Sequence, residues 1–279
     1  MNDNDSDIEK TWKSKQMQLY NVWAKEPKPK FLSPFWKFYG NFEGEVEISF
    51  IRNPSGLRIL DLGCRDGRFI RQLTSNGAHA VGIDLSLDCI KLAQQSLLKN
   101  QRSMANFIVC DAEKLPFREK SFDCVAILFL LHHLPSFKVL KESHDILNQK
   151  GTLILNEPVK NNILIIFGTK IYSRLSHSIR NRMLQDLEDN SEFAPERSAL
   201  SRWMLNKALD EARFDIIKED GRHLFLFPLE YFIRLVPNLR FIFTEKVLFG
   251  MYHLEMALLR NGFMTFSRYL LIECKKRNF

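Results

Sequence analysis

The sequence predicts an α/β chain with a doubly wound, largely parallel sheet, and three observations carry that prediction. Five short apolar runs of strand type lie between Leu57 and Pro158, separated by segments with the apolar spacing of helices. A glycine turn, Gly63 to Gly67, joins the first run to the first helical segment. Acidic residues recur at the carboxyl ends of the runs, where open α/β sheets gather their ligands.

Taken in order, the first strand spans 57–62 and enters the turn LGCRDGRF, followed by a helix over 67–76 with Phe69, Ile70 and Leu73 on its apolar side. The backbone at such a turn approaches a ligand closely, and the helix that follows offers free N–H groups to negative charge. The second strand, 79–84, ends in Asp84, and Ser86 is placed to cap the helix predicted over 87–99. Strands at 106–110 and 122–130, a helix at 135–148 and a strand at 151–156 complete the alternation. Crossovers of this length imply parallel neighbours.

Composition sets the outer bounds. The chain has 279 residues, 45% apolar and 26% charged, enough for one large α/β domain with elaborations. The acidic N-terminus, MNDNDSDIEK, is not that of a signal peptide, and no apolar run is long enough to span a bilayer. The five cysteines form no CxxC pair and read as buried free thiols of a reducing compartment, so a cytoplasmic protein is expected, with membrane association as the alternative. A net charge of +7 permits an anionic partner without demanding one.

From Leu57 to Pro158 the motifs resemble those of class I S-adenosylmethionine-dependent methyltransferases, in the type 11 branch that acts on small molecules and lipids. The resemblance rests on LRILDLGCRDGRF, HAVGIDLS, NFIVCDAEKLPF, SFDCVAILFLLHHL and KGTLILNEP, in that order and spacing. It implies a Rossmann-like sheet of seven strands with the last antiparallel, an N-terminal helical lid, and a helical insertion between the last two strands. It also implies S-adenosylmethionine as cofactor, held by Asp61, Gly63, Gly67, Asp84, Leu85, Asp111, Ala112 and Leu128. Asp84 would take the ribose hydroxyls through charge-assisted hydrogen bonds. Leu85 would pack on the adenine, with Asp111 and Ala112 at its edge. For Asp61 and Asp111 the plainer reading is a carboxylate that closes a turn. Arg65 departs from the pattern, since a middle glycine is expected there; a left-handed φ would cost arginine roughly 1–2 kcal/mol. A nicotinamide-binding site fits less well: Arg68 stands where its third glycine belongs.

After the fourth strand the chain has Leu128-Phe129-Leu130-Leu131-His132-His133, lacking the Asn/Asp-Pro-Pro-aromatic turn of base and glutamine N-methyltransferases. No His/Cys/Asp/Glu cluster has metal-ligand spacing. His132, His133 and Glu157 are the catalytic candidates, with one of the histidines taking an acceptor proton near neutral pH and Glu157, which the resemblance places facing the same rim, binding substrate or acting as base. The competing reading is a histidine that only caps the next helix. Methyl transfer from a sulfonium also proceeds by proximity and orientation alone.

The flanks divide the chain into a lid or extension (1–50), the cofactor domain (51–223), a hydrophobic cap (224–264) and a final strand (265–279). Residues 1–10 are expected to be disordered and a helix to run from Glu9 to Ala24. Tyr20 and Trp36 are either lid residues or ordinary core aromatics. NNILIIFGTKIYSRL starts as an apolar helix. Residues 195–214 form another, with Leu200, Trp203, Met204 and Leu209 on one side. FDIIKEDGRH and RYLLIECKK read as the closing strand pair. Between them, Leu224 to Met264 is dense in Phe, Leu, Ile and Tyr. It reads as a cap packed on the domain or on a second subunit (a homodimer), or as an acceptor pocket or peripheral membrane patch. The expected activity is methylation of a small, apolar or amphipathic acceptor, with O-methylation favoured. The alternatives are a nucleic-acid methyltransferase, which here lacks an RNA-binding appendage, and a cofactor-binding protein without turnover.

Overall fold

A computed structural model describes residues 3–25, 44–160, 200–222, 244–260, 267 and 269–277. The elements are α1 (Asp3–Lys25), β1 (Arg58–Leu62), α2 (Arg68–Ser75), β2 (His79–Asp84), α3 (Leu87–Ser96), β3 (Ala105–Val109) and β4 (Phe122–Leu128). They continue with α4 (Lys138–Ile146), β5 (Leu147–Pro158), α5 (Arg202–Glu211), β6 (Phe214–Arg222), α6 (Glu245–Arg260) and β7 (Tyr269–Lys276). A short helical segment, 44–49, precedes β1.

The seven strands form one sheet in the order β3-β2-β1-β4-β5-β7-β6. The five strands from β3 to β5 are parallel, and β7 runs antiparallel to both β5 and β6. The order reverses between β1 and β4, so the crevice above their carboxyl ends is the switch point of the sheet.

Each strand feeds two cores because alternate side chains leave opposite faces. Leu60, Leu62, Val125, Ile127, Leu153 and Leu155 pack on one side with Val139 and Leu140 of α4 and Leu205 and Leu209 of α5. Ile59, Cys124, Ala126 and Ile154 pack on the other with Phe69, Ile70 and Leu73 of α2, Ile90 of α3, and Phe50. Burial of a Leu or Ile on this scale stabilises by about 1.5–3 kcal/mol per side chain. The sheet is therefore a firmly packed floor for the loops at its carboxyl edge.

Several boundaries differ from expectation. α1 includes Asp3 onward, where the first ten residues read as disordered. The helix expected over 135–148 is shorter, Lys138–Ile146, and a separate 3-10 turn at Leu131–His133 precedes it. β5 runs from Leu147, directly after α4, to Pro158, longer at both ends than the strand expected over 151–156 and taking in Leu147 and Asn148 from the expected helix. In α5 the buried face is Leu205, Ala208 and Leu209, while Trp203 (70% exposed) and Met204 point to solvent. Three- and four-residue steps from Leu205 select that face. Trp36, the apolar stretch 161–175, residues 195–199 and most of 224–264 lie outside the described residues; α6 is the described part of the last. The five cysteines are free, four of them buried and Cys110 half-buried. No helix among the described residues is long and apolar enough to cross a membrane.

Candidate active site

The turn after β1 crosses the switch point with three left-handed residues, Gly63 (φ 73°), Arg65 (φ 51°) and Gly67 (φ 74°). Arg65 thus adopts the conformation that favours glycine, and what it retains is its backbone donor. Its N–H reaches Asp84 Oδ2 at 3.0 Å, and Ser86 N–H reaches Asp84 Oδ1 at 2.8 Å. Each carboxylate oxygen keeps a second lone pair for a ligand hydroxyl. The helix cap itself is Ser86, whose Oγ accepts from Cys89 N–H, as expected. Gly67 serves packing: a Cβ there would stand 3.0 Å from Ala93 Cβ of α3. At Gly63 an added Cβ would meet Leu130 at 3.1 Å, so the turn lies against the loop after β4.

Asp61 is 2% exposed beneath this turn, and its carboxyl is pushed up to about 8 by burial and then by Glu47, against the pull of Arg68. Glu47, from the 44–49 segment, is itself buried and accepts from Arg68 Nη2 and Asn156 Nδ2, each at 3.0 Å. Burial also raises Asp84, with the Ser86 and Arg65 hydrogen bonds opposing. Asn156 Oδ1 is buried and accepts nothing from the described residues. Buried acids in excess, beside an unsatisfied acceptor, suit a cationic ligand that brings N–H donors.

Asp111 closes an Asx turn onto Glu113 N–H at 2.9 Å, the plainer of its two readings, and Ala112 beside it is buried. Its second oxygen is taken by α1, since Lys13 Nζ lies 2.8 Å from both Asp111 and Glu113. α1 lies across the whole rim. Trp12 Nε1–H donates to the His133 carbonyl at 2.8 Å, Ser86 Oγ–H to Asn21 Oδ1 at 2.6 Å, and Tyr20 Oη meets His133 Nε2 at 3.2 Å. Burial raises the Tyr20 phenol, with Arg65 opposing. Tyr20 is therefore at the crevice, while Leu85 and Leu128 are half-buried along its walls.

After β4, Phe129 is left-handed (φ 57°) and the 3-10 turn brings the two imidazoles to 4.0 Å between centroids. Glu157, fully buried at the end of β5, organises this loop. Its Oε1 accepts from the N–H groups of Leu130 (2.9 Å) and Leu131 (2.6 Å), and its Oε2 from His132 N–H (3.3 Å) and Nδ1 (2.7 Å). A carboxylate accepting four times leaves His132 Nδ1 as the donor, which turns the Nε2 lone pair outward. His133 differs: burial, then the neighbouring His132 and Arg65, hold it down to about 3, so it is a neutral and only weakly basic imidazole. Glu157 reaches the site through the His132 loop, not by facing the rim.

Sequence reasoning passed over Lys13 and Glu47. Lys13 joins its partners across about a hundred residues and leaves no local signal. Glu47 is one of three alternating acids in EGEVEISF, and nothing local separates it from Glu43 and Glu45.

A seven-stranded sheet in this order, with β7 antiparallel, is the Rossmann-like methyltransferase fold. Residues 60–155 match the family described as a methyltransferase domain, and the chain carries a class I S-adenosylmethionine-dependent methyltransferase domain. It is 31% identical over 144 residues to an uncharacterized protein of Methanocaldococcus jannaschii, covering 49% of this chain and 58% of that one. It is 32% identical over 131 residues to the demethylmenaquinone methyltransferase of Thermotoga maritima, covering 46% of this chain and 54% of that one. The match thus spans little more than half of either relative. In fold it is similar to the geranyl diphosphate C-methyltransferase of Streptomyces coelicolor, with a TM-score of 0.62, 13% identity, and coverage of 95% of this chain and 98% of that one.

Proposed function

We propose that the protein transfers the methyl group of S-adenosylmethionine to a small acceptor with an apolar or amphipathic body. The cofactor supplies an electrophilic methyl on a sulfonium when bound. Asp84 would hold the ribose, Asp111 and Ala112 the adenine edge, and Asp61 with Asn156 the ammonium end. The observation that carries the acceptor reading is the aromatic wall beside the His132 loop. Phe129 and Tyr269 meet edge to face at 5.2 Å, and α6, apolar along much of its length, packs on β6 next to them. The demethylmenaquinone enzyme, named for a quinone, lends support to an apolar acceptor.

Within this reading His132 is the base. Glu157 fixes its tautomer and orientation, and Nε2 takes the proton released as the acceptor oxygen or carbon bonds to the methyl group. Such assistance contributes typically 10²–10⁴-fold, on top of orientation by the rim. His133 and Tyr20 act as a neutral, water-excluding pair above it.

The test is methyl transfer from labelled S-adenosylmethionine into cell extract, separated into organic, aqueous and macromolecular fractions. Label is expected in the organic fraction and is lost with Asp84→Ala. Label confined to the aqueous or nuclease-sensitive fraction would overturn the apolar acceptor.

A further inference from the structure

Arg222 ends β6 with 4% of its surface exposed. Its Nη1 donates to Tyr252 Oη at 3.0 Å and lies 3.6 Å from Met256 Sδ, both on α6, and its guanidinium carbon is 5.7 Å from the Tyr252 ring centroid. A phenol, a thioether and a ring face are all neutral. Among the described residues no carboxylate stands within ion-pair distance, and Glu255, buried on the same helix, has contacts of its own. A guanidinium has five donors in a planar fork, and these bonds engage one of its three nitrogens. Cations buried this deeply are ordinarily paired with an anion.

The fold puts this cation on the acceptor side of the crevice. In the sheet register Arg222 lies beside Tyr269, and Tyr269 beside Pro158, the residue after Glu157. Laterally paired residues share a face, so Arg222 and Tyr269 stand side by side. Tyr269 in turn touches Phe129, one residue past β4 and three before His132. The wall that begins at the His132 loop thus runs over two aromatic rings and ends at a buried positive charge.

We infer that Arg222 binds an anionic group, a phosphoryl or carboxyl, at the far end of an acceptor whose apolar body lies along Phe129 and Tyr269. This rests on the apolar-acceptor reading above and adds the chemistry of the end group. The fork of Arg222 matches two oxygens of such a group, with the Tyr252 hydroxyl bracing the guanidinium from behind.

The experiment measures binding of decyl phosphate, decanoate and decanol, below their aggregation limits, to the full chain with S-adenosylhomocysteine present. At least one anionic probe is expected to bind tenfold or more tightly than decanol. Arg222→Gln is expected to erase that preference, Arg222→Lys to keep part of it, and both to leave S-adenosylhomocysteine affinity within twofold. Equal binding of all three probes, or a preference that survives Arg222→Gln, would overturn the inference and leave the apolar acceptor standing. Binding of none would overturn both. The comparison among probes on the unaltered chain needs no variant, so a poorly folding Arg222→Gln does not block it.

Discussion

The two halves of the crevice carry opposite charge and different kinds of organisation. On the β1–β3 side, buried acids crowd a tight turn: Asp61 and Glu47 beneath it and Asp84 at its rim. On the β5–β7 side, aromatic rings lead to a buried guanidinium. The first half is built from residues near one another in sequence, with Asp84 bonded to Arg65 only 19 positions away. The second is assembled from β4, β6, α6 and β7, so its chemistry exists only once the chain has folded. On the proposed reading the acidic half takes the cationic cofactor and the aromatic half the acceptor.

The sharpest way to break this division is to remove its central acid. Asp84→Ala deletes the acceptor of two backbone N–H groups and, on the proposed reading, of both ribose hydroxyls, and is expected to weaken S-adenosylhomocysteine binding at least 100-fold by calorimetry. Charge-assisted hydrogen bonds contribute about 1.5–3 kcal/mol each, so the loss of two suffices. If binding survives, the acidic half does not hold the nucleoside.

Acidity itself gives the second test. In the free protein Asp61 is held protonated to about pH 8, far above an ordinary carboxyl. An ammonium ligand prefers the ionised form, so binding must expel that proton. Affinity should rise as pH increases from 6 to 8, by up to about tenfold per unit, and level off above. Asp61→Asn should flatten the profile. Stability should move the other way: the raised pKa favours the fold below the ordinary carboxyl range, and that contribution is lost as pH rises through about 8. A flat profile in the unaltered chain would mean that the ligand ammonium does not approach Asp61.

Legibility followed the same division. β2 was bounded correctly at His79 to Asp84, and the turn, Ser86 and the strand-end acids were all readable, because glycine spacing and alternation are local signals. Glu157 was read as facing the rim, yet it is the hydrogen-bond centre of a loop 26 residues earlier, a role that only the pairing of β4 with β5 creates. Arg222 was an ordinary strand-end charge until α6 covered it. The surroundings of His133 likewise include α1, which contributes Tyr20 and Trp12 from more than a hundred positions away.

α1 couples the halves, since Lys13 binds Asp111 and Glu113 beyond β3 while Tyr20 and Trp12 bind His133. Lys13→Ala should loosen that latch. Partly exposed ion pairs contribute modestly, so the cofactor off-rate in stopped-flow should rise about fivefold rather than by orders of magnitude. An unchanged rate would mean that α1 is held by its aromatic contacts alone.

Arg65 gives the smallest and most discriminating effect. Its left-handed φ of 51° costs a residue with a Cβ roughly 1–2 kcal/mol, which glycine avoids. Arg65→Gly keeps the backbone N–H that holds Asp84, so cofactor affinity should change little. The stability gain is partly offset by glycine's freer unfolded chain, leaving a net rise of about 0.5–1 kcal/mol in urea unfolding. The substitution also removes a positive charge that helps hold His133 down, so the His133 pKa, followed by NMR, should rise from about 3. A loss of stability instead would show that the buried arginine side chain, whose charge acts on both Tyr20 and His133, is worth more than the strain it imposes. The departure from glycine would then be a contact with the lid, carried by the same residue that shapes the cofactor turn.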